Sequence, residues 1–424
     1  MTTSGNNIKR IAILFAGGPA PGANAVISSC ALACLKHGIE VIGIMHGYSA
    51  LHIYDAQTKP LREGIDYRRF TFADVEESRN ARGIMIGTAR ANPGRSIGGP
   101  ADLSDASKSA PLKRTVQALR SLNIDALVSI GGDDTLKTAN KIYEYQRINN
   151  VERPIRVVHL PKTIDNDYKG IDFTFGYFTA VHWMASEVQN LLADAKAARA
   201  YFIVECMGRK AGWLSYGVAM AGEAQMILAV EDIEDLMKAA NKAYDGHLDM
   251  DVLVDHIVDL VVCRSKRSQD YGVIVLAEGL AEKLPKKFLE ETTRDEHGHI
   301  SLGDVHLGHM VAKRVMARLK ERAGIERKVN GVQLGYEARC APPHAFDVML
   351  GSQLGVGAYV ALVEKSLDGV MVSTEGQLDL CFVPFKDLVD PATLVTEVRY
   401  IDTKSDFHRL ATLLATNFKS KDCS

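Results

Sequence analysis

Short, wholly apolar runs alternate along this chain with polar breaks marked by glycine and proline. Residues 11–15 are apolar and run into Gly17, Gly18, Pro19, Pro21 and Gly22; residues 24–35 then carry Ala, Val, Ile, Leu and Cys at helical spacing. Strand, glycine-rich loop and helix in that order open a parallel α/β sheet, whose strands are buried on both faces and so lose their polar alternation. The same pattern predicts strands at 41–45, 126–130, 156–160, 201–206, 226–230, 272–277, 331–334 and, as a last one, 370–373. Helices are predicted at 213–221 and 347–362. The fold class expected is α/β, with two doubly wound, mainly parallel-sheet lobes and an active site in the cleft between them. The polar stretches 52–69, 91–112 and 283–301 read as surface loops or insertions, and 407–418 as a terminal helix that packs rather than dangles.

Composition narrows the classes. The 424 residues are 46% hydrophobic and 24% charged, with a formal net charge of -2, so broad electrostatic binding to nucleic acid or anionic membrane has no support. The seven cysteines are scattered with no Cys-x-x-Cys pair, which argues against zinc and suits a reducing compartment. Residues 1–10 lack an apolar signal core, and no apolar run is expected to approach the roughly 20 residues of a membrane span, so the cytoplasm is the expected location.

Polar residues at strand ends carry the candidate chemistry. Gly17-Gly18 stands between strand and helix, where glycines let a phosphate reach backbone N–H groups; it reads equally as a tight turn, and no Gly-Lys-Ser/Thr follows it. Gly131-Gly132-Asp133-Asp134-Thr135 frees the backbone and supplies two acids, either for magnesium or for capping a helix. Lys162-Thr163-Ile164-Asp165-Asn166-Asp167 adds a cation and two further acids, Asp165 and Asp167, which in extended chain face the same way. One acid can take a hydroxyl proton while the lysine neutralises phosphate charge. Arg90, Arg209, Lys210 and Arg339 stand near strand ends or glycines.

This ordered set, with Met207-Gly208-Arg209 and Leu334-Gly335-Tyr336-Glu337-Ala338-Arg339, resembles the phosphofructokinase family over about residues 9–363. The resemblance implies transfer of a phosphoryl group to the 1-hydroxyl of fructose 6-phosphate with Mg²⁺ as cofactor. It implies Asp165 as base, Asp133 at the metal, Thr163 on the transferred group and Arg209 stabilising its charge. Gly17, Gly18, Arg90, Asp134 and Lys162 would face the donor; Thr163, Asp165, Asp167, Met207, Gly208, Arg209, Glu278, Tyr336 and Arg339 would face the sugar phosphate. ATP-using members carry glycine at the positions of Asp134 and Lys162, whereas pyrophosphate-using members carry Asp and Lys. An aspartate there fills and repels the site of an α-phosphate, and a lysine suits compact pyrophosphate. The expected reaction is therefore reversible, pyrophosphate-dependent and weakly regulated if at all. An ATP-dependent 6-phosphofructokinase is the alternative, and a non-catalytic subunit of the same fold a more remote one. Tyr336 replaces a family histidine, as in pyrophosphate users. Ala200 and Asn330 stand where a neighbouring subunit's arginines are usual, with Arg199, Arg327 and Lys328 nearby. A homodimer or homotetramer is expected, with residues 1–177 and 338–388 as donor lobe and 178–337 and 389–424 as sugar-phosphate lobe. Sedoheptulose 7-phosphate remains open as a second acceptor.

Overall fold

The computed structural model describes residues 8–289 and 302–414. It forms two compact units: Met1–Ile164 with Tyr168–Thr179 and Arg339–Glu397, and Asp165–Asp167 with Ala180–Ala338 and Val398–Ser424. The strands, in chain order, are β1 (Arg10–Ala16), β2 (Glu40–Ile44), β3 (Tyr67–Arg69), β4 (Ala126–Gly131), β5 (Arg156–Pro161), β6 (Tyr201–Cys206), β7 (Met226–Leu228), β8 (Gly272–Ala277), β9 (Val329–Leu334), β10 (Val370–Glu375) and β11 (Asp379–Pro384).

In the first unit the sheet order is β11-β10-β5-β4-β1-β2-β3. The central pairs are parallel, and β3 and β11 close the edges antiparallel. Ala16 of β1 pairs with Gly131 of β4, which pairs with Pro161 of β5, so the residues that follow all three strands emerge at one level. The chain winds from β1 to β2 on one side and to β4 on the other, the switch point where α/β sheets bind ligands. Helices Ala23–Lys36 and Ala345–Tyr359 pack closely because glycine allows it: a Cβ on Gly355 would lie 2.4 Å from the Val26 carbonyl oxygen.

The second unit holds a four-stranded parallel sheet, β7-β8-β6-β9. Cys206 of β6 pairs with Ala277 of β8 and Leu334 of β9, again aligning three C-terminal ends. Its core gathers Tyr201, Ile203, Met226, Ile274 and Leu276 from the sheet with Leu253, Ile257, Val311 and Val315 from helices Met250–Lys266 and Leu307–Ala323.

The predicted strands all form, with ends shifted by at most a few residues. Some expectations need correction. Residues 370–373 are not the last strand, because β11 returns as a hairpin. The presumed loop 52–69 includes β3, and 91–112 includes the turn Pro100–Leu103 and the start of helix Ala110–Ser121. Ala345–Glu364 is a continuous 20-residue helix of mean hydropathy 1.5, long and apolar enough to cross a bilayer; 56% of its apolar stretch is buried in the protein. The terminal helix is Asp406–Leu413, and 415–418 lie outside the described residues, as do 290–301 of the third loop.

Candidate active site

Lys162 organises the first unit's strand ends. It directly follows β5, and its backbone N–H donates to the Gly131 carbonyl at 2.9 Å. Only 7% of it is exposed. A Cβ built on Gly17 would stand 3.6 Å from Nζ, and one on Gly132 3.7 Å, so the ammonium reaches both glycine loops flanking the switch point. The φ of +88° at Gly17 is a conformation that favours glycine. Loop 84–90 closes over this strand end: the Gly17 N–H donates to the Ala89 carbonyl at 3.0 Å, and Thr88 Oγ1 donates to the Gly17 carbonyl at 2.6 Å. Exposed Arg90 directly follows Ala89, the residue that accepts from the glycine loop. The Arg339 guanidinium carbon lies 3.8 Å from a Cβ built on Gly18.

Asp133 and Asp134 open helix Asp133–Ile148, where unpaired N–H groups and the helix dipole favour negative charge. Lys137, one turn on, meets Asp133 Oδ2 at 3.2 Å and Asp134 Oδ1 at 2.7 Å. Burial alone lowers the Lys137 pKa, yet the two carboxylates outweigh it and the net shift is upward. Thr396 Oγ1 donates to Asp133 Oδ1. Beneath these loops His159 is fully buried, and burial pushes its imidazole down to about 3, so it stays neutral. Tyr168 OH donates to the Gly131 carbonyl at 3.1 Å and stands 3.2 Å from His159 Nε2.

The acidic turn follows directly. Thr163 is 9% exposed, and its carbonyl accepts from Thr174 Oγ1 at 2.8 Å. Asn166 is buried with φ 55°, a left-handed residue between the two acids. The chain therefore turns at Asn166, and the expectation of extended Asp165 and Asp167 facing one way fails: alternation holds only in a strand.

In the second unit, Met207, Gly208 and Arg209 leave β6, Glu278 leaves β8, and Gly335 and Tyr336 leave β9. Gly208, with φ +128°, donates its N–H to Glu278 Oε1 at 3.3 Å. The Cys206 thiol is raised foremost by burial, with the charges of Glu278, Asp165 and Glu337 adding to it. Arg209 binds Glu282 through Nε at 2.7 Å and Nη2 at 2.5 Å. Tyr336 is 67% exposed. Lys210 is exposed as well. Asp165, Asp167, Met207, Gly208, Arg209, Glu278 and Tyr336 belong to this unit, whereas Arg339 belongs with Gly17, Gly18, Asp133, Asp134, Lys162 and Thr163 to the first. Arg199, Arg327 and Lys328 precede β6 and β9, at the opposite end of the sheet from Met207 and Tyr336. Arg327 is held there by Asp270 at 2.9 Å.

Sequence reading missed Lys137, Glu282, Thr396, Trp213 and Arg399. Lys137 was recoverable, since acid and base four apart on a helix are neighbours. Glu282, 73 positions from Arg209, left no local signal.

The oxygen donors suit magnesium. Among the described residues no three His, Cys, Asp or Glu side chains cluster as a metal cage. Mg²⁺ takes one or two carboxylates and completes its shell with water and substrate phosphate, and Asp133, the first residue after the Gly131-Gly132 break, offers that kind of donor.

Residues 10–362 match the sequence pattern of phosphofructokinase. This chain belongs to the phosphofructokinase family. Pyrophosphate--fructose 6-phosphate 1-phosphotransferase from Thermotoga maritima is 32% identical over 423 residues, covering 98% of this chain and 92% of the relative. ATP-dependent 6-phosphofructokinase from Mycobacterium leprae is 31% identical, covering 94% and 99%. The crystal structure of pyrophosphate-dependent phosphofructokinase from Nitrosospira multiformis superposes with a TM-score of 0.67 at 18% identity, covering 97% of this chain and 93% of that one. The phosphofructokinase fold expected from the motifs is thus the fold of this chain.

Proposed function

We propose that this phosphofructokinase transfers a phosphoryl group from pyrophosphate to the 1-hydroxyl of fructose 6-phosphate, reversibly and with Mg²⁺. The observation that carries the donor assignment is the Lys162 ammonium, 3.6 and 3.7 Å from the Cβ directions of Gly17 and Gly132. A fixed cation at the switch point suits a compact, highly charged donor. Asp134, on the first helical turn, adds charge that repels an α-phosphate, and its 66% exposed carboxylate is paired with Lys137.

In this reading Asp165 accepts the proton of the sugar hydroxyl as the phosphoryl group arrives. Arg209 and Thr163 stabilise the charge on that group, and Lys162 with Arg90 neutralises the donor. Gly17 and Gly18 present backbone to phosphate. Asp167, Met207, Gly208, Glu278, Tyr336 and Arg339 hold the sugar phosphate. Asp133 would hold magnesium, which supplies charge neutralisation at the phosphate oxygens when bound. The enzyme is cytoplasmic, non-allosteric and a homodimer or homotetramer, and Arg199, Arg327 and Lys328 are the candidate cations for a second copy's sugar phosphate. It serves glycolysis and gluconeogenesis, because the phosphate bonds of donor and product are similar in energy.

Formation of fructose 1,6-bisphosphate, with pyrophosphate and ATP tested side by side, decides it. Turnover with pyrophosphate supports the reading; turnover with ATP alone moves the donor assignment to the nucleotide.

A further inference from the structure

Arg399 lies outside every motif yet holds the acidic turn. Its backbone N–H donates to the Asp167 carbonyl at 2.9 Å, and its Nη2 donates to the Asn166 carbonyl at 2.7 Å. Its own carbonyl accepts from Trp213 Nε1 at 2.8 Å, and its guanidinium carbon stands 4.8 Å from the centroid of the Trp213 ring. Two residues on, the Ile401 N–H donates to Glu231 Oε1 at 3.1 Å. The same carboxylate accepts the Gly212 N–H at 3.0 and 3.1 Å. Segment 399–401 is therefore joined both to the turn that carries Asp165 and to the start of helix Trp213–Ala221, a few residues beyond Arg209. All these residues belong to the second unit.

The turn is a specific one. Asn166 is left-handed, a backbone conformation that side-chain-bearing residues adopt only where the surrounding structure holds it. The consecutive carbonyls of Asn166 and Asp167 both receive their donors from Arg399. Two bonds from one residue fix the backbone dihedrals of the turn, and those dihedrals set where the Asp165 carboxylate points. The Trp213 face and N–H in turn hold Arg399, whose planar guanidinium suits stacking and forked donation as a lysine would not.

We propose that Arg399, held by Trp213, is a positioning residue for Asp165 in phosphoryl transfer, an inference that rests on the phosphotransferase reading above. A carboxylate misplaced by about 1 Å loses turnover on the order of 10²-fold. Arg399→Ala is expected to lower kcat by about 10²-fold, with KM for both substrates within about threefold of the parent. Guanidinium ion, added well below unfolding concentrations, restores part of that loss. Trp213→Phe keeps a stacking face but lacks the N–H donor, and loses about tenfold. A purely structural role would reduce Tm and the folded fraction without changing turnover per folded site, and would not respond to guanidinium. A kcat per folded site within about threefold of the parent for Arg399→Ala overturns the proposal. Amide hydrogen exchange of residues 163–168 tests the clamp without any activity. Faster exchange in Arg399→Ala supports it and unchanged exchange overturns it. Full turnover in Asp165→Asn, by contrast, would defeat the phosphotransferase reading and leave the exchange result standing.

Discussion

Arg209 and Glu282 form an ion pair in which the guanidinium Nε and Nη2 both meet the single oxygen Oε1, at 2.7 and 2.5 Å. The pair fixes one edge of the guanidinium. Removing one donor to a developing oxyanion typically costs 10²–10³ in kcat, so Arg209→Ala is expected to lose about that much. Glu282→Ala releases the same arginine without deleting it and is expected to lose about tenfold. Steady-state kinetics on both variants checks the order.

The donor pair predicts a partial switch. Lys162→Gly removes the fixed cation and is expected to lower kcat/KM for pyrophosphate by about 10²-fold. Asp134→Gly removes the repelling acid and is expected to improve ATP binding. Unchanged ATP affinity in Asp134→Gly, measured by titration calorimetry, would sink the steric and electrostatic account of donor choice.

Asp165→Asn keeps the side-chain shape but cannot accept a proton. Turnover is expected to fall by about 10²–10⁴-fold, the usual contribution of a positioned general base. Binding of fructose 6-phosphate should survive within a few fold, as equilibrium dialysis would report.

Asp347 gives a pH signature away from the site. It is fully buried and accepts from the Thr179 N–H at 2.7 Å and Thr179 Oγ1 at 2.6 Å. Burial outweighs these bonds and raises its carboxyl to about 6. The folded state therefore binds the proton more tightly than the unfolded chain. Its stabilising contribution is complete below the ordinary carboxylate value and is lost as pH rises through about 6. Asp347→Asn cannot titrate, so relative to the parent it should gain roughly 2–3 kcal/mol between about pH 4 and 7. Denaturant unfolding at the two pH values measures that difference.

Gly335 tests the sugar side. A Cβ there would lie 2.2 Å from Met207 Cγ, so Gly335→Ala must displace Met207. The variant is expected to lose about 1–3 kcal/mol of stability and to raise KM for fructose 6-phosphate more than it lowers kcat. Thermal unfolding and kinetics separate the two effects.

The sheets were legible because β1, β4, β5, β6 and β8 are buried along nearly their whole length, and continuous burial leaves a continuous apolar run. β3 was not legible: Tyr67-Arg68-Arg69 sits at an edge, half exposed, with no apolar face to mark it. β11 was missed although Leu380-Cys381-Phe382-Val383 is a short apolar run: its pairing as the return strand of a hairpin from β10 is a tertiary feature, and it is only partly buried. The turn at Asn166 misled because residues alternating in sequence share a face only while the chain stays extended.

By itself the sequence determined which residues stand at strand ends: Gly17, Asp133, Lys162, Arg209, Glu278 and Tyr336 each follow an apolar run or a glycine break, and such signals are local. Tertiary structure alone decided what those residues touch. Lys162 reaches the loops of Gly17 and Gly132 because β1, β4 and β5 pair in one register. Arg399 meets Asn166 across 233 positions. Contacts of that range arise when the backbone folds on itself, and nothing in the residues between them records the pairing.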